Sequence, residues 1–289
     1  MKTPSRKSFR KWFSLFFIFL LIAIPLEIWR SNALLQVSSY TVCDPALPAA
    51  FDGFSVVHLS DLHGKRFGEE QQKLLSELAA LSPDLIVITG DIVDSTSEAD
   101  ERQAAEELVR GATQFAPVYF VSGNHESGSD YSLLREALWE AGAFVLENES
   151  VLLSAEDGSA LQLVGLSDPG FLYSEDPALT NAAVRRTLEP FSGYDGFSIL
   201  LAHRPDYFPV YAGAGMNLTL SGHTHGGQIR LPFLGGLLAP GQGFFPEYLD
   251  GAYFSGDSEM IISRGLGSTA IPIRFFNRPE IVQVTLRRQ

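Results

Sequence analysis

Three apolar runs, each ending in a polar cluster, set the pattern of the first half of the chain. FSVVHLS (54–60), LIVIT (85–89) and PVYFVS (117–122) are continuous rather than alternating, so they read as strands buried on both faces. Between them, EEQQKLLSELAAL (69–81) places Leu74, Leu75, Leu78 and Leu81 at helical spacing, and EADERQAAEELVRGATQF (98–115) predicts a second helix. The βαβαβ order implies a parallel sheet with right-handed crossovers. The second half is richer in strands: AFVLE (143–147), SVLLS (150–154), LQLVGL (161–166), SILLA (198–202), NLTLS (217–221), EMIISR (259–264) and EIVQVTL (280–286). ALTNAAVRRTLE (178–189) is its clearest helix. One sheet does not hold that many strands comfortably. The expected fold class is therefore α/β, with two packed mixed β-sheets flanked by helices.

A different pattern opens the chain. Lys2, Arg6, Lys7, Arg10 and Lys11 precede the apolar run WFSLFFIFLLIAIPL (12–26), which Glu27, Ile28, Trp29 and Arg30 follow. With Ile28 and Trp29 the run is about long enough to span a bilayer. Residues 31–64 contain no Lys or Arg, so the charge asymmetry places the N-terminus in the cytoplasm and the rest outside. The favoured expectation is an uncleaved single-pass anchor over residues 1–30, with Trp12 and Trp29 at the two interfaces. The alternative is a cleaved signal peptide with Ser31-Asn32-Ala33 at the cleavage site; SRKSFRK (5–11) also resembles a twin-arginine signal with Lys7 in place of the second arginine. Residues 31–52, with the breakers Asp44-Pro45 and Leu47-Pro48, read as a linker and lead-in, and 53–289 as one domain.

Composition narrows the function. The net charge is −13, and the first 30 residues carry +5, so the remaining 259 carry −18. A domain that acidic is poorly suited to the phosphate backbone of nucleic acid. The lone cysteine, Cys43, excludes an intrachain disulfide framework and a thiolate metal site. Of the six histidines, five (His63, His125, His203, His223 and His225) lie in short clusters rich in Gly, Asp and Asn that end strands. His58 lies inside an apolar strand and reads as a core or supporting histidine.

The clusters are Ser60-Asp61-Leu62-His63, Thr89-Gly90-Asp91-Ile92-Val93-Asp94, Ser122-Gly123-Asn124-His125-Glu126, Ala202-His203-Arg204 and Ser221-Gly222-His223-Thr224-His225-Gly226-Gly227. In α/β folds, ligands bind beyond the carboxyl ends of strands. Five strand ends, each delivering Asp, Asn or His, can thus converge on a two-cation site. Asp91 is suited to bridge the cations. Asp61-x-His63 and His223-x-His225 would project their side chains the same way from extended backbone. Gly90, Gly123 and Gly222 permit tight turns. Arg204, Arg230, Arg264 and Arg274 are candidates either to clamp substrate phosphate or to form ion pairs.

D-x-H, G-D-x-x-D, G-N-H-E, a lone His and G-H-T-H, in that order over residues 61–226, resemble the calcineurin-like metallophosphoesterase family. GHTHGGQ and the tail SRGLGSTAIPIRFFNRPEIVQVTL look like its bacterial membrane-anchored or exported subgroup. The resemblance implies a four-layer sandwich. It also implies that Asp61, His63 and His225 hold one metal, that Asn124, His203 and His223 hold another, and that Asp91 is shared. His125 would be a catalytic acid rather than a ligand, with Glu126 influencing its pKa and Asp94 orienting a ligand. The metals would be Mn, Fe or Zn, since N/O donors do not choose among them.

The expected activity is two-metal hydrolysis of a phosphodiester, phosphomonoester or pyrophosphate of a cell-envelope or lipid-linked substrate. Some anchored relatives cleave UDP-2,3-diacylglucosamine, a cytosolic substrate that an outward-facing domain would not meet. A non-catalytic metal-binding envelope protein and a nuclease are the alternatives from other classes. The apolar segments 233–245 and 271–276 read either as a lipid-facing rim or as ordinary loop packing.

Overall fold

Two six-stranded sheets stack face to face in the computed structural model, which describes residues 6–94, 99–128, 130–172, 177–231, 235–236, 238–240, 242–244, 246–268 and 273–289. Strands run β1 (Gln36–Asp44), β2 (Ser55–Leu59), β3 (Leu85–Thr89), β4 (Val118–Val121), β5 (Phe144–Val145), β6 (Glu149–Ser154), β7 (Ala160–Leu166), β8 (Ser198–Ala202) and β9 (Leu218–Ser221). Short pairs follow: β10 (Arg230–Leu231) with β11 (Gly235–Gly236), and β12 (Leu238–Ala239) with β13 (Gly243–Phe244). The chain closes with β14 (Gly251–Ser255), β15 (Ser258–Ile262) and β16 (Glu280–Arg288). The first sheet has the order β1-β16-β2-β3-β4-β5 and the second β14-β15-β9-β8-β7-β6.

Helices α2 (Gln72–Leu81), α3 (Ala99–Ala112) and α5 (Tyr131–Glu140) cover the outside of the first sheet; α6 (Pro177–Leu188) and α7 (Phe208–Gly213) cover the second. Alternate strand residues feed different cores. Val57 and Leu59 face α2 and α3, while Val56 faces the other sheet. Leu200 faces α6 and α7, while Ile199 and Leu201 face the first sheet. Most positions along these strands are therefore apolar, which is why the runs are nearly continuous, with His58 the buried exception in β2. The four layers follow, as the sequence implied.

Two elements differ from expectation. Residues 36–44, inside the stretch read as a linker, form β1, which pairs in parallel with β16 over its whole length. QVSSYTVCD is half-polar because β1 is an edge strand; backbone bonds to β16 run its whole length, and Val42 is its one buried side chain in the core. β16 runs antiparallel to β2, which makes the first sheet mixed, in line with the expected fold class. Helix α5 was unforeseen, although Leu134 and Leu138, four apart, are its buried stripe.

Helix α1 (Arg6–Ala33) stands apart. Its segment Trp12–Ala33 has a mean hydropathy of 2.1 and is not buried against the domain over its apolar span.

Candidate metal centre

Beyond the carboxyl ends of β2, β3, β8 and β9 the chain turns sharply, and each turn delivers one or two ligand atoms. Asp61, His63, Asp91, His223 and His225 all adopt positive φ, between 48° and 72°. For non-glycine residues that conformation costs about 1–2 kcal/mol each. Strain of this kind, concentrated in one place, marks a functional site. It also corrects the extended-backbone reading: Asp61/His63 and His223/His225 converge through left-handed turns, not through strand alternation. Gly222 packs against Ser60 and Asp61, and Gly123 against Asp91, so closely that a Cβ at either position would collide with the carboxylate.

Two fully buried groups of donors result. Asp61, His63, Asp91 and His225 present atoms within 4.8 Å of one another, as do Asp91, His203 and His223. In the first, Nε2 of His63 faces Nε2 of His225 at 3.2 Å, and Nε2 of His225 lies 3.3 Å from Oδ1 of Asp61. In the second, Nε2 of His203 lies 3.1 Å from Oδ2 of Asp91 and 3.2 Å from Nδ1 of His223. Oδ2 of Asp91 is also 3.9 Å from Nε2 of His63, so one carboxylate touches both groups. Asn124 sits at the start of the one-turn helix α4 (Asn124–Ser127); its Oδ1 is buried and has no hydrogen-bond partner. An orphaned buried amide oxygen beside Asp91's group suits a cation ligand.

The protonation states agree with that reading. Burial drives His223 and His225 well below the usual histidine value, with neighbouring positive charge adding to it, so both rings are neutral. Burial opposes charge on Asp91, but His203's charge and hydrogen bond outweigh it and hold the carboxyl well below its ordinary range. His203 is pushed up to about 10: burial lowers it, and Asp91 more than compensates. Positive charge is thus favoured between Asp91 and His203, where a divalent cation would replace the proton. Nδ1 of His203 donates to the Thr89 carbonyl at 2.7 Å, which leaves Nε2 free to coordinate.

Around this centre lie residues that orient it. Asp94 Oδ1 is 2.6 Å from Nδ1 of His63 and 3.3 Å from Nδ1 of His125, so it fixes the tautomer of both rings. Nε2 of His125 then points toward Asp91 at 3.9 Å, and its side chain is 24% exposed, the one ring of this cluster open to solvent. Sequence reasoning tied Glu126 to the pKa of His125. Its larger role is structural. The buried carboxylate accepts from the backbone N–H groups of Asp91 at 2.8 Å, Ile92 at 2.9 Å and Gly123 at 2.5 Å, and so clamps the Asp91 turn to the Asn124 turn. Burial pushes it up to about 7, with Asp91's charge adding to the shift. Glu126→Ala would leave those donors unsatisfied. Thermal or denaturant unfolding should then show a loss of roughly 2–4 kcal/mol; an unchanged midpoint would show that the clamp is dispensable. His58 is fully buried; its Nε2 meets the Thr89 hydroxyl at 2.7 Å, and burial lowers it to about 3.

The four arginines are engaged within the protein. Arg204 pairs with buried Asp168, Arg230 with Asp250, and Arg264 with Glu280. Arg274 is fully buried and donates to the carbonyls of Gly267 and Arg264, with its guanidinium 3.4 Å from Nδ1 of His225.

The sequence singled out Arg274 and the apolar segment 271–276, but not the bonds that tie this segment to His225 and to α1. Asn277 Nδ2 donates to the His225 carbonyl at 2.7 Å. On its other side the segment meets the end of α1. Asn32 Oδ1 accepts from the Arg274 N–H at 3.1 Å, and Asn32 Nδ2 donates back to the Arg274 carbonyl at 3.0 Å. Ser31 Oγ accepts from the Asn277 N–H at 3.3 Å, the Glu27 carboxylate from the Phe276 N–H, and Arg278 donates to the Leu34 and Leu35 carbonyls. Only the polar residues Ser31, Asn32 and Asn277, set amid apolar sequence, hinted at it.

Fold and centre define a four-layer α/β protein with a dinuclear-type donor set. The family model "Calcineurin-like phosphoesterase" matches residues 54–227. The uncharacterized metallophosphoesterase YkuE of Bacillus subtilis is 35% identical over 257 residues, covering 88% of this chain and 86% of that one. Phosphodiesterase YaeI of Escherichia coli is 30% identical over 240 residues, covering 81% and 82%. A transmembrane protein with metallophosphoesterase domain from Bos taurus is 32% identical and covers 83% of this chain and 54% of that one. The chain belongs to the calcineurin-like metallophosphoesterase family and is a metal-dependent phosphoric ester hydrolase.

Proposed function

We propose that this protein is a membrane-anchored phosphodiesterase of the cell envelope. In this reading Asp61, His63 and His225 hold one divalent cation, Asn124, His203 and His223 hold a second, and Asp91 lies between them. The observation that carries it is the single Asp91 oxygen facing His203 at 3.1 Å and His63 at 3.9 Å. Imidazole, amide and carboxylate donors without thiolate suit Mn, Fe or Zn. When bound, the cations supply Lewis acidity that offsets phosphoryl charge and generates hydroxide at neutral pH.

The chain's own residues do the rest. Asp94 accepts from Nδ1 of His63, which turns the lone pair of Nε2 toward the centre. His125, open to solvent and held through Nδ1 by Asp94, carries a proton on Nε2 that it can give to the departing oxygen. Glu126 and the strained turns keep the donors in place before substrate arrives.

The phosphodiester class is supported by the activity in YaeI's name. Retention of α1 is supported by its polar seam: cleavage at Ser31-Asn32-Ala33 would remove Ser31 and Asn32, which hold the segment behind His225. The basic N-terminus supports an orientation with the domain outside the cytoplasm. The −18 charge beyond residue 30 weighs against a nuclease, and the intact His125–Asp94 pair against a purely metal-binding role. The test is hydrolysis of a chromogenic phosphodiester by the full chain with Mn²⁺, Zn²⁺ or Fe²⁺. Metal-dependent turnover absent from Asp91→Ala is expected. Turnover no higher than that variant with every metal would sink the reading.

A further inference from the structure

Residues 274–278 form a strap with α1 on one side and a candidate metal ligand on the other. Five polar groups at the end of the helix, from Glu27 to Leu35, bond to it, and its inner face bonds to His225. An apolar helix therefore ends directly against the edge of the centre, with no free tether between them.

Apolar side chains flank this strap and face solvent. Ile273 is 42% exposed and Phe276, bonded through its N–H to the last turns of α1, is 41% exposed. Ile229, bridged to Phe275, is 40% exposed. Phe244, on the β12–β13 hairpin that packs against the His225–Gly227 turn, is 75% exposed. Phe276 lies where the last turns of α1 meet the strap, and Trp29 on those turns is 57% exposed. Exposed apolar surface of this kind marks an interaction site.

We propose that this surface seats in the headgroup region of the bilayer crossed by α1, and so holds the metal centre at the depth of lipid phosphoesters. Continuity with the helix selects lipid as the occupant: the strap begins where the helix leaves the membrane. The domain's strong negative charge means that apolar insertion, not attraction to anionic lipid, drives the seating. The inference rests on the anchored reading above but not on hydrolysis, so its test is independent of activity.

The full chain carrying Cys43→Ser is given a single cysteine by Ile273→Cys, Phe244→Cys or, as a control on the exposed β6–β7 turn, Asp157→Cys. Each is nitroxide-labelled and reconstituted in phosphatidylcholine vesicles. Accessibility to oxygen is compared with accessibility to an aqueous nickel chelate. At positions 273 and 244 the ratio of oxygen to nickel collisions should exceed that at 157 by severalfold. Equal ratios at all three positions, in protein that floats with the vesicles, would overturn the docking surface alone. Protection from both reagents, as a second copy or another protein would give, would overturn lipid as the occupant. Protein that fails to float would overturn the anchor and the docking surface together. A circular-dichroism melt matching that of the parent qualifies each variant, and with two reporter positions a failure of one to fold leaves the other to decide.

Discussion

Asp91→Asn should lower kcat/KM for a phosphodiester by about 10³-fold or more, the scale of several kcal/mol of lost charge stabilisation at a two-cation centre. The side chain is fully buried, and its two oxygens have different tasks. Oδ1 accepts from the His125 N–H at 2.9 Å; Oδ2 faces His203 and His63. Asparagine can keep the first contact and the shape of the turn. It cannot supply the negative charge that two cations share. The expected signature is lost activity together with lost bound metal, measured by elemental analysis, while far-ultraviolet circular dichroism stays unchanged. Full metal content with full activity would mean that the groups on either side of Asp91 do not act as one centre.

His125→Ala should behave differently. It should lower kcat by about 10²–10⁴-fold, the usual worth of a positioned general acid, and leave metal content intact. The contrast with Asp91 separates a proton donor from a ligand. Burial pulls the pKa of His125 down, but the hydrogen bond to Asp94 and the charges of Asp91 and Asp94 outweigh it, so the net shift is upward. The upward shift favours the protonated ring; activity that needs the proton is present below that pKa and falls as pH rises through it. The alkaline limb of the wild-type profile should therefore vanish in His125→Ala. The loss should also be smaller for a nitrophenolate leaving group, which departs without a proton, than for an alkoxide. Equal losses for both would show that His125 serves the site in another way.

Much of the centre could be read from short polar clusters closing apolar runs, because in this fold strand ends converge on one edge of the sheets. All seven proposed ligands lie just beyond strand ends, and Asp61, His63, Asp91, His203, His223 and His225 come together in two buried groups. Their spacing was misread in one respect: D-x-H and H-x-H look like strand alternation, yet positive φ at four of those residues shows left-handed turns, which residue identity alone does not announce. Glu126 was visible as part of GNHE but not as a clamp, since its partners are backbone N–H groups that no sequence marks. β1 was invisible for a related reason. An edge strand held by backbone pairing to a strand more than 200 residues away needs no apolar pattern. The seam between α1 and residues 274–278 also joins distant segments through small polar side chains and main chain, contacts that leave little trace in composition.

In the proposed centre six side chains would hold two cations on either side of Asp91, which both would share. Crystals of the domain soaked in Mn²⁺, with diffraction recorded at the manganese edge, test it most directly. Two anomalous peaks are expected, one among Asp61, His63 and His225, the other among Asn124, His203 and His223, both in contact with Asp91. A single peak, or peaks that leave Asp91 untouched, would contradict it.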